Sequence, residues 1–372
     1  MSLLFSPFTF GPITIPNRVV VAPMCQYSAN DGCASDWHLA HLMQLGTSGA
    51  GLVVVEATAV ERRGRISHGD LGLYSDDNEA ALGRVLGAAR RVAGPTTRFG
   101  IQIGHAGRKA STQAPWDGGG PLKGHEDPWP VVAPSALPFD DHYPVPATLD
   151  AAGLEHIVAA FAETARRAAR IGFDVVEVHA AHGYLLHQFL SPLSNHRDDA
   201  FGGTADNRRR FPLQVLQAVR TALPATVALG IRISATDWVD GGLTVADSAA
   251  FVAAAREAGA DYVCVSSGGL VPHVRIPTAP GYQVPFAAEI RATTGMATRA
   301  VGLIAAADQA EAILTAGHAD MIALARAFLD DPRWAWHAAD RLGATLERAP
   351  QYQRAAAALW PGAKLSRPQD FV

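Results

Sequence analysis

Cysteine is scarce in this 372-residue chain, which has only Cys25, Cys33 and Cys264. So small and odd a set excludes a disulfide framework and fits a reducing compartment, so a cytoplasmic location is expected. Positive charge is no more plentiful. The 31 lysines and arginines stand against 35 acidic residues, a formal charge of −4, with no basic stripe or polybasic cluster, which argues against nucleic-acid and membrane partners. No apolar run approaches the roughly 20 residues that cross a bilayer. The opening MSLLFSPFTFGPITIPNR lacks a basic n-region and is broken by Ser6, Pro7 and Gly11, so it does not read as a signal peptide. Also missing are a G-x-G-x-x-G after a strand and a Walker lysine; the glycines from Gly118 to Gly124 have no strand before them.

What the chain does have is apolar material, 48% of its residues, enough for a large core. Eight short, mostly β-branched runs read as buried strands: Val19–Val21, Leu52–Val55, Phe99–Ile101, Val175–Val178, Val227–Ile231, Tyr262–Val265, Thr298–Val301 and Met321–Leu324. Helical patterns lie between most of them. Leu154 to Arg170 repeats apolar residues at helix spacing, Thr244-x-x-Asp247 marks a helix start, and Ala306 to Ala316 stops at Gly317. Eight βα units without a dinucleotide fingerprint predict one (β/α)₈ TIM barrel domain over residues 1–372 rather than an open sheet. Residues 105–146, rich in Gly, Pro and Trp and without periodicity, are expected to form a lid over the barrel mouth, since Trp116, Trp129, Phe139 and Tyr143 are too aromatic for a solvated linker. The segment 342–372, with Tyr352, Arg354 and Trp360, is expected to dock its aromatics on this barrel or on a neighbour.

The chemistry gathers where strands end. His179-Ala-Ala-His182-Gly-Tyr184 puts two imidazoles and a phenol at one strand exit, and a parallel barrel turns all such exits toward the ligand. Capping of a turn by the histidine pair is the plain alternative. Cys25, Gln102, Arg232, Ser266 and Arg326 end other strands. Arg232, at the end of an apolar strand, needs an anion: Asp237, Glu177 or a bound anionic cofactor. Gly302 and Ala325-Arg326 fall at the seventh and eighth exits, where barrels of this class hold phosphate. His179 and His182 could instead be ligands of a metal-dependent barrel hydrolase, although no third ligand stands at a familiar zinc spacing.

These residues also carry a resemblance. Ala22-Pro-Met-Cys-Gln-Tyr27, Gly51 to Val60, Ile101 to Lys109, His179 to Tyr184, Ser191-Pro192 to Arg197-Asp198, Phe201-Gly-Gly203, Asn207-Arg208, Arg232 and Val301-Gly-Leu-Ile304 are similar to the Old Yellow Enzyme family, and most closely to its thermophilic-like subgroup with the xenobiotic reductases. The resemblance implies a barrel that holds FMN noncovalently, draws hydride from NADPH or NADH, and reduces the C=C bond of α,β-unsaturated carbonyl compounds. It places Pro23, Met24, Cys25, Ala57, Gln102 and Arg232 against the flavin, with Arg232 at the N1/O2 edge. Gly302 and Arg326, with Ser267 and Gly268, would hold the phosphate. His179 and His182 would bind the substrate carbonyl, Tyr184 would donate the α-proton, Tyr27 would touch substrate, and Cys25 would tune the flavin. Arg354 and Trp360 match late residues that complete a pocket, in their own subunit or in a neighbour of a dimer or tetramer. The subgroup often has Gly-Arg where this chain has Ala325-Arg326. Two other readings remain: a dienoyl-CoA reductase relative, disfavoured by three scattered cysteines and an end at Val372, and a barrel that binds ligands without turnover.

Overall fold

A computed structural model describes residues 2–371. Its strands β1 (Val19–Val21), β2 (Leu52–Ala59), β3 (Arg98–Gly104), β4 (Val175–Ala180), β5 (Ala228–Ser234), β6 (Tyr262–Ser266), β7 (Ala297–Ala300) and β8 (Met321–Leu324) pair in parallel and close in chain order into a barrel. All eight expected strands are present. Five of them run past their expected ends: Glu56, Gln102, His179 and Arg232 do not terminate strands but are polar residues within them, and Ser266 is itself the last residue of its strand. Alternation explains this. In β4, Val176, Val178 and Ala180 pack outward against the helices, while Val175, Glu177 and His179 take the inward positions between them.

The helices form as their signals predict. Asp150 caps Ala151–Ile171 by accepting from the Gly153 N–H, and Gly172, at φ +101°, ends it in a left-handed turn. Thr244 and Asp247 make a reciprocal capping box at Val245–Glu257. Beneath the barrel a hairpin, Phe8–Phe10 paired with Ile13–Ile15, packs Phe10, Ile13 and Ile15 against Val20, Leu52, Val175, Ala228 and Met321. The floor is thereby sealed with apolar side chains.

Residues 105–146 carry three short 3₁₀ turns and a two-residue ladder, Val132–Ala133 with Ala147–Thr148. Arg108 anchors the segment from within, donating to Leu137 O at 3.3 Å, Pro138 O at 3.2 Å and Leu270 O at 2.9 Å. The late aromatics are only partly covered within this chain. Tyr352 docks on Trp336, with ring centroids 5.6 Å apart and Arg333 4.5 Å from its ring, but it stays 41% exposed and Trp360 45%. Residues 345–352 line a cavity of about 820 Å³ with Pro16, Asn17, Thr47, Gly49 and residues 93–97, the segments that lead into β1, β2 and β3. That part of the tail therefore sits at the floor end of the barrel.

Candidate active site

At the opposite end, β4 delivers His179 on its last inward position, and the chain then turns sharply. His182 takes a left-handed conformation at φ +57° and Gly183 follows at +76°, with the backbone of Gly269 so close that a Cβ on Gly183 would lie 2.2 Å from its carbonyl oxygen. This turn folds three rings onto one another. The His179 ring stands 5.2 Å from that of His182 and 4.9 Å from that of Tyr184, both edge to face.

Hydrogen bonds fix their protons. The Ala181 N–H donates to His179 Nδ1 at 3.2 Å, so the neutral ring carries its proton on Nε2, free for a ligand. His182 has its backbone N–H on Ser234 Oγ at 2.9 Å and its Nε2 2.7 Å from Ser266 Oγ. Burial, and then the Arg232 charge, hold both imidazoles well below the usual histidine range, so they are neutral at physiological pH. Burial, with Cys25 and Asp70 nearby, pushes the Tyr184 phenol well above its ordinary value. Cys25 is raised too, by burial and then by Asp70 and Glu56, and is held as a thiol.

The other expected residues lie on the neighbouring segments. Glu56 accepts from the Gln26 N–H at 2.7 Å and pairs with His38 at 3.0 Å, tying down the loop that carries Pro23, Met24 and Cys25. Tyr27, at φ +50°, packs edge to face with Trp116 of the 105–146 segment at 5.4 Å. Ala57 sits at a bulge in β2, directly paired with Gln102 of β3. Ser267 donates to Gln283 Oε1 at 2.6 Å; Gly302, at φ +110°, faces Gln283 Nε2 so closely that a Cβ would lie 2.5 Å from it. Gly268, also left-handed, follows Ser267. Arg326 opens the short helix Arg326–Asp330, and among the described residues its side chain makes no hydrogen bond or ion pair. Arg354 and Trp360 do not join this group: no hydrogen bond, ion pair or ring contact among the described residues links either to it, and both are exposed.

Arg232 tests whether an anionic group fits. Glu177 is taken by Arg299, and Asp237 by His187 at 2.9 Å and Ser191 at 2.8 Å, so both carboxylates suggested as its partners are engaged elsewhere. Among the described residues Arg232 has no hydrogen bond or ion pair, and its Nε is buried. A guanidinium left in this state beside two neutral imidazoles is suited to a planar ring that gathers negative charge. Among the described residues no helix is long and apolar enough to cross a membrane, and no cluster of three or more His, Cys, Asp or Glu could hold a metal.

Three residues escaped the sequence reading. Lys109 donates to His182 O at 2.9 Å and Gly269 O at 3.0 Å, locking the turn. Asp70, beside Tyr184 and His179 in a small cavity, is pushed up to about 7 by burial and by Glu56. Gln283 gathers Ser266, Ser267 and Gly302. Only Lys109 had a signal, as the end of the Ile101 to Lys109 motif.

The profile of the NADH:flavin oxidoreductase / NADH oxidase family matches residues 3–344. A protein of Listeria innocua named NADPH dehydrogenase is 44% identical over 357 residues, 95% of this chain and 99% of that one. A morphinone reductase solved with tetrahydroNAD superposes with a TM-score of 0.75 at 27% identity, over 93% of this chain and 92% of the other. A 2-naphthoyl-CoA reductase in complex with 2-naphthoyl-CoA shares the fold, with a TM-score of 0.79 at 24% identity over 89% of this chain, which spans 51% of that longer one.

Proposed function

We propose that this chain, which belongs to the NADH:flavin oxidoreductase / NADH oxidase family and thus to the Old Yellow Enzymes, reduces the activated C=C bond of α,β-unsaturated carbonyl compounds. Family membership makes it an FMN-dependent oxidoreductase with a nicotinamide donor; the substrate and the residue roles are the proposal. FMN, when held by these residues, would supply the hydride chemistry, with NADPH or NADH as the source of the electrons.

The chain's own residues then do the rest. His179 Nε2–H donates to the substrate carbonyl oxygen. His182 donates beside it from Nδ1, which requires Ser266 to give its hydroxyl proton to Nε2 across their 2.7 Å bond. Two fixed donors at an oxygen that gains charge act as an oxyanion hole, each worth roughly 10²–10³ in rate. Tyr184, protonated throughout the working range, releases its proton to the α-carbon. Tyr27 beside Trp116 bounds the substrate side. Pro23, Met24, Cys25, Ala57 and Gln102 would border the ring, Arg232 its N1/O2 edge, and Ser267, Gly268, Gly302 and Arg326 its phosphate. Arg354 and Trp360 would reach substrate only at the mouth of a second copy, which favours an oligomer.

The partnerless Arg232 beside two neutral imidazoles and a protonated phenol carries this reading. The metal-hydrolase alternative finds no third ligand there among the described residues. The test is spectral: purified protein should be yellow, bleach with NADPH under anaerobic conditions, and recolour with cyclohexenone. Tyr184→Phe should slow recolouring by about 10²-fold or more and leave bleaching unchanged. Equal slowing of both steps removes Tyr184 as proton donor, and colourless protein that takes up no FMN ends the proposal.

A further inference from the structure

Two arginines stand at one height inside the barrel. Register aligns Arg232 of β5 with Cys264 of β6, and Cys264 with Arg299 of β7. Their surroundings are opposite. Arg299 is wholly buried; its Nη2 donates to Glu177 Oε2, and its Nη1 lies 3.4 Å from Tyr262 Oη. Tyr262 Oη donates to the same Glu177 oxygen at 2.8 Å, and Gln102 Nε2 donates to Glu177 Oε1 at 2.8 Å. The phenol occupies the space a side chain at position 230 would need, since a Cβ on Gly230 would lie 2.1 Å from Tyr262 Cζ. Glu177 is thus held by three side chains. Arg232, by contrast, has no partner among the described residues.

Glu177 lies on β4 directly opposite Gln102 and two residues before His179, so it is within the same small interior as Arg232. A buried carboxylate takes the cation offered to it with good geometry. Were Arg299 absent, the remaining guanidinium in this ring would be Arg232. The Gln102 amide has the same dependence: with its N–H donated to Glu177, its carbonyl oxygen is left to accept from something else.

We propose that Arg299 is a positioning residue for the flavin: by engaging Glu177 it keeps the Arg232 charge free for the cofactor and leaves the Gln102 carbonyl oxygen to accept from the ring's imide N–H. The arrangement pairs one of the two guanidinium groups with the carboxyl group and leaves the other without a side-chain partner among the described residues. This rests on the placement of Arg232 at the flavin's N1/O2 edge argued above.

Sulfite binding to the oxidised holoenzyme reads that charge without turnover, because sulfite adds to flavins held beside a positive group; the midpoint potential reads it independently. Arg299→Met should weaken sulfite binding about tenfold and lower the potential, the effect of one unit charge at roughly 10 Å and an effective dielectric near 20. Glu177→Gln should tighten sulfite binding by a similar factor and raise the potential. Arg299→Met/Glu177→Met should return both readings close to wild type. Opposite signs with recovery in the pair support the proposal; no change, or shifts of the same sign in both single variants, overturns it. If Arg299→Met does not fold, Glu177→Gln decides alone, and unchanged or weaker sulfite binding there overturns the proposal. Arg232→Met separates the two levels: if it leaves sulfite binding unchanged, the placement of Arg232 fails, whereas a large loss there with silent Arg299 and Glu177 variants defeats only the role of Arg299.

Discussion

The two ends of the barrel interior are built on opposite terms. At the floor, Phe10, Ile13 and Ile15 meet Val20, Leu52, Val175 and Met321 in a largely apolar plug, in which Tyr262 and Cys264 are the polar members. At the mouth, His179, His182, Tyr184, Cys25 and Asp70 are ionisable groups whose protons are displaced from their ordinary ranges by burial. Backbone strain divides the same way: Tyr27 and His182 hold left-handed conformations at the mouth. The floor gains free energy from removing apolar surface from water, whereas the mouth spends stability to keep polar groups poised. Stability and chemistry should therefore be separable by mutation.

The largest expected effect lies at the floor. Phe10→Ala removes a ring that meets Tyr262 edge to face at 5.1 Å in the plug, and should cost about 3–5 kcal/mol in urea unfolding. Turnover per folded molecule should hardly change. A floor variant that kept its stability but lost activity would erase the division. Next comes Lys109→Met, at the mouth. It removes two charge-assisted bonds that lock His182 and Gly269 while keeping the aliphatic stem, so phenol or enone binding should weaken about tenfold. Unfolding should shift by only about 1 kcal/mol. A stability loss as large as that of Phe10→Ala would make Lys109 a structural strut and blur the contrast.

How far the sequence foretold each end follows from where the partners lie. All eight strands were legible because β-branched runs carry a local signal, and the histidine pair with Tyr184 was legible because six adjacent residues hold it. Strand ends were misjudged at Glu56, Gln102, His179 and Arg232, since a polar residue in a run looks like a terminator until the barrel supplies an inward direction. The contacts of Arg299 with Glu177 and of Lys109 with Gly269 span 122 and 160 residues, and nothing local announces them. The sequence leaves the tail's partner open for another reason: aromatic content marks a surface that packs well but does not say whether this chain supplies the cover. Tyr352 found Trp336, and Trp360 remains 45% exposed.

The smallest expected effect is also the one that most directly measures what the mouth gives up. Asp70 accepts from the Ile66 N–H at 2.7 Å and from Ser67 Oγ at 2.9 Å, yet burial and Glu56 still push its carboxyl up to about 7, against about 4 in an unfolded chain. The folded state therefore binds the proton more tightly. Its contribution to stability is fully present below about pH 4 and fades as pH rises to about 7, where the native carboxyl ionises beside Glu56, Cys25 and Tyr184. Asp70→Asn removes that titration; its single amide oxygen still accepts from the Ile66 N–H, while its NH₂ replaces the oxygen facing Ser67 and donates to the Ser67 hydroxyl oxygen. Between pH 5 and pH 8 the variant should gain on the wild type by about 1 kcal/mol in chemical denaturation, after relaxation of the site blunts the full linkage. If the difference between the two proteins is flat across that range, Asp70 titrates normally in the native state, and the mouth is less costly to maintain than its burial implies.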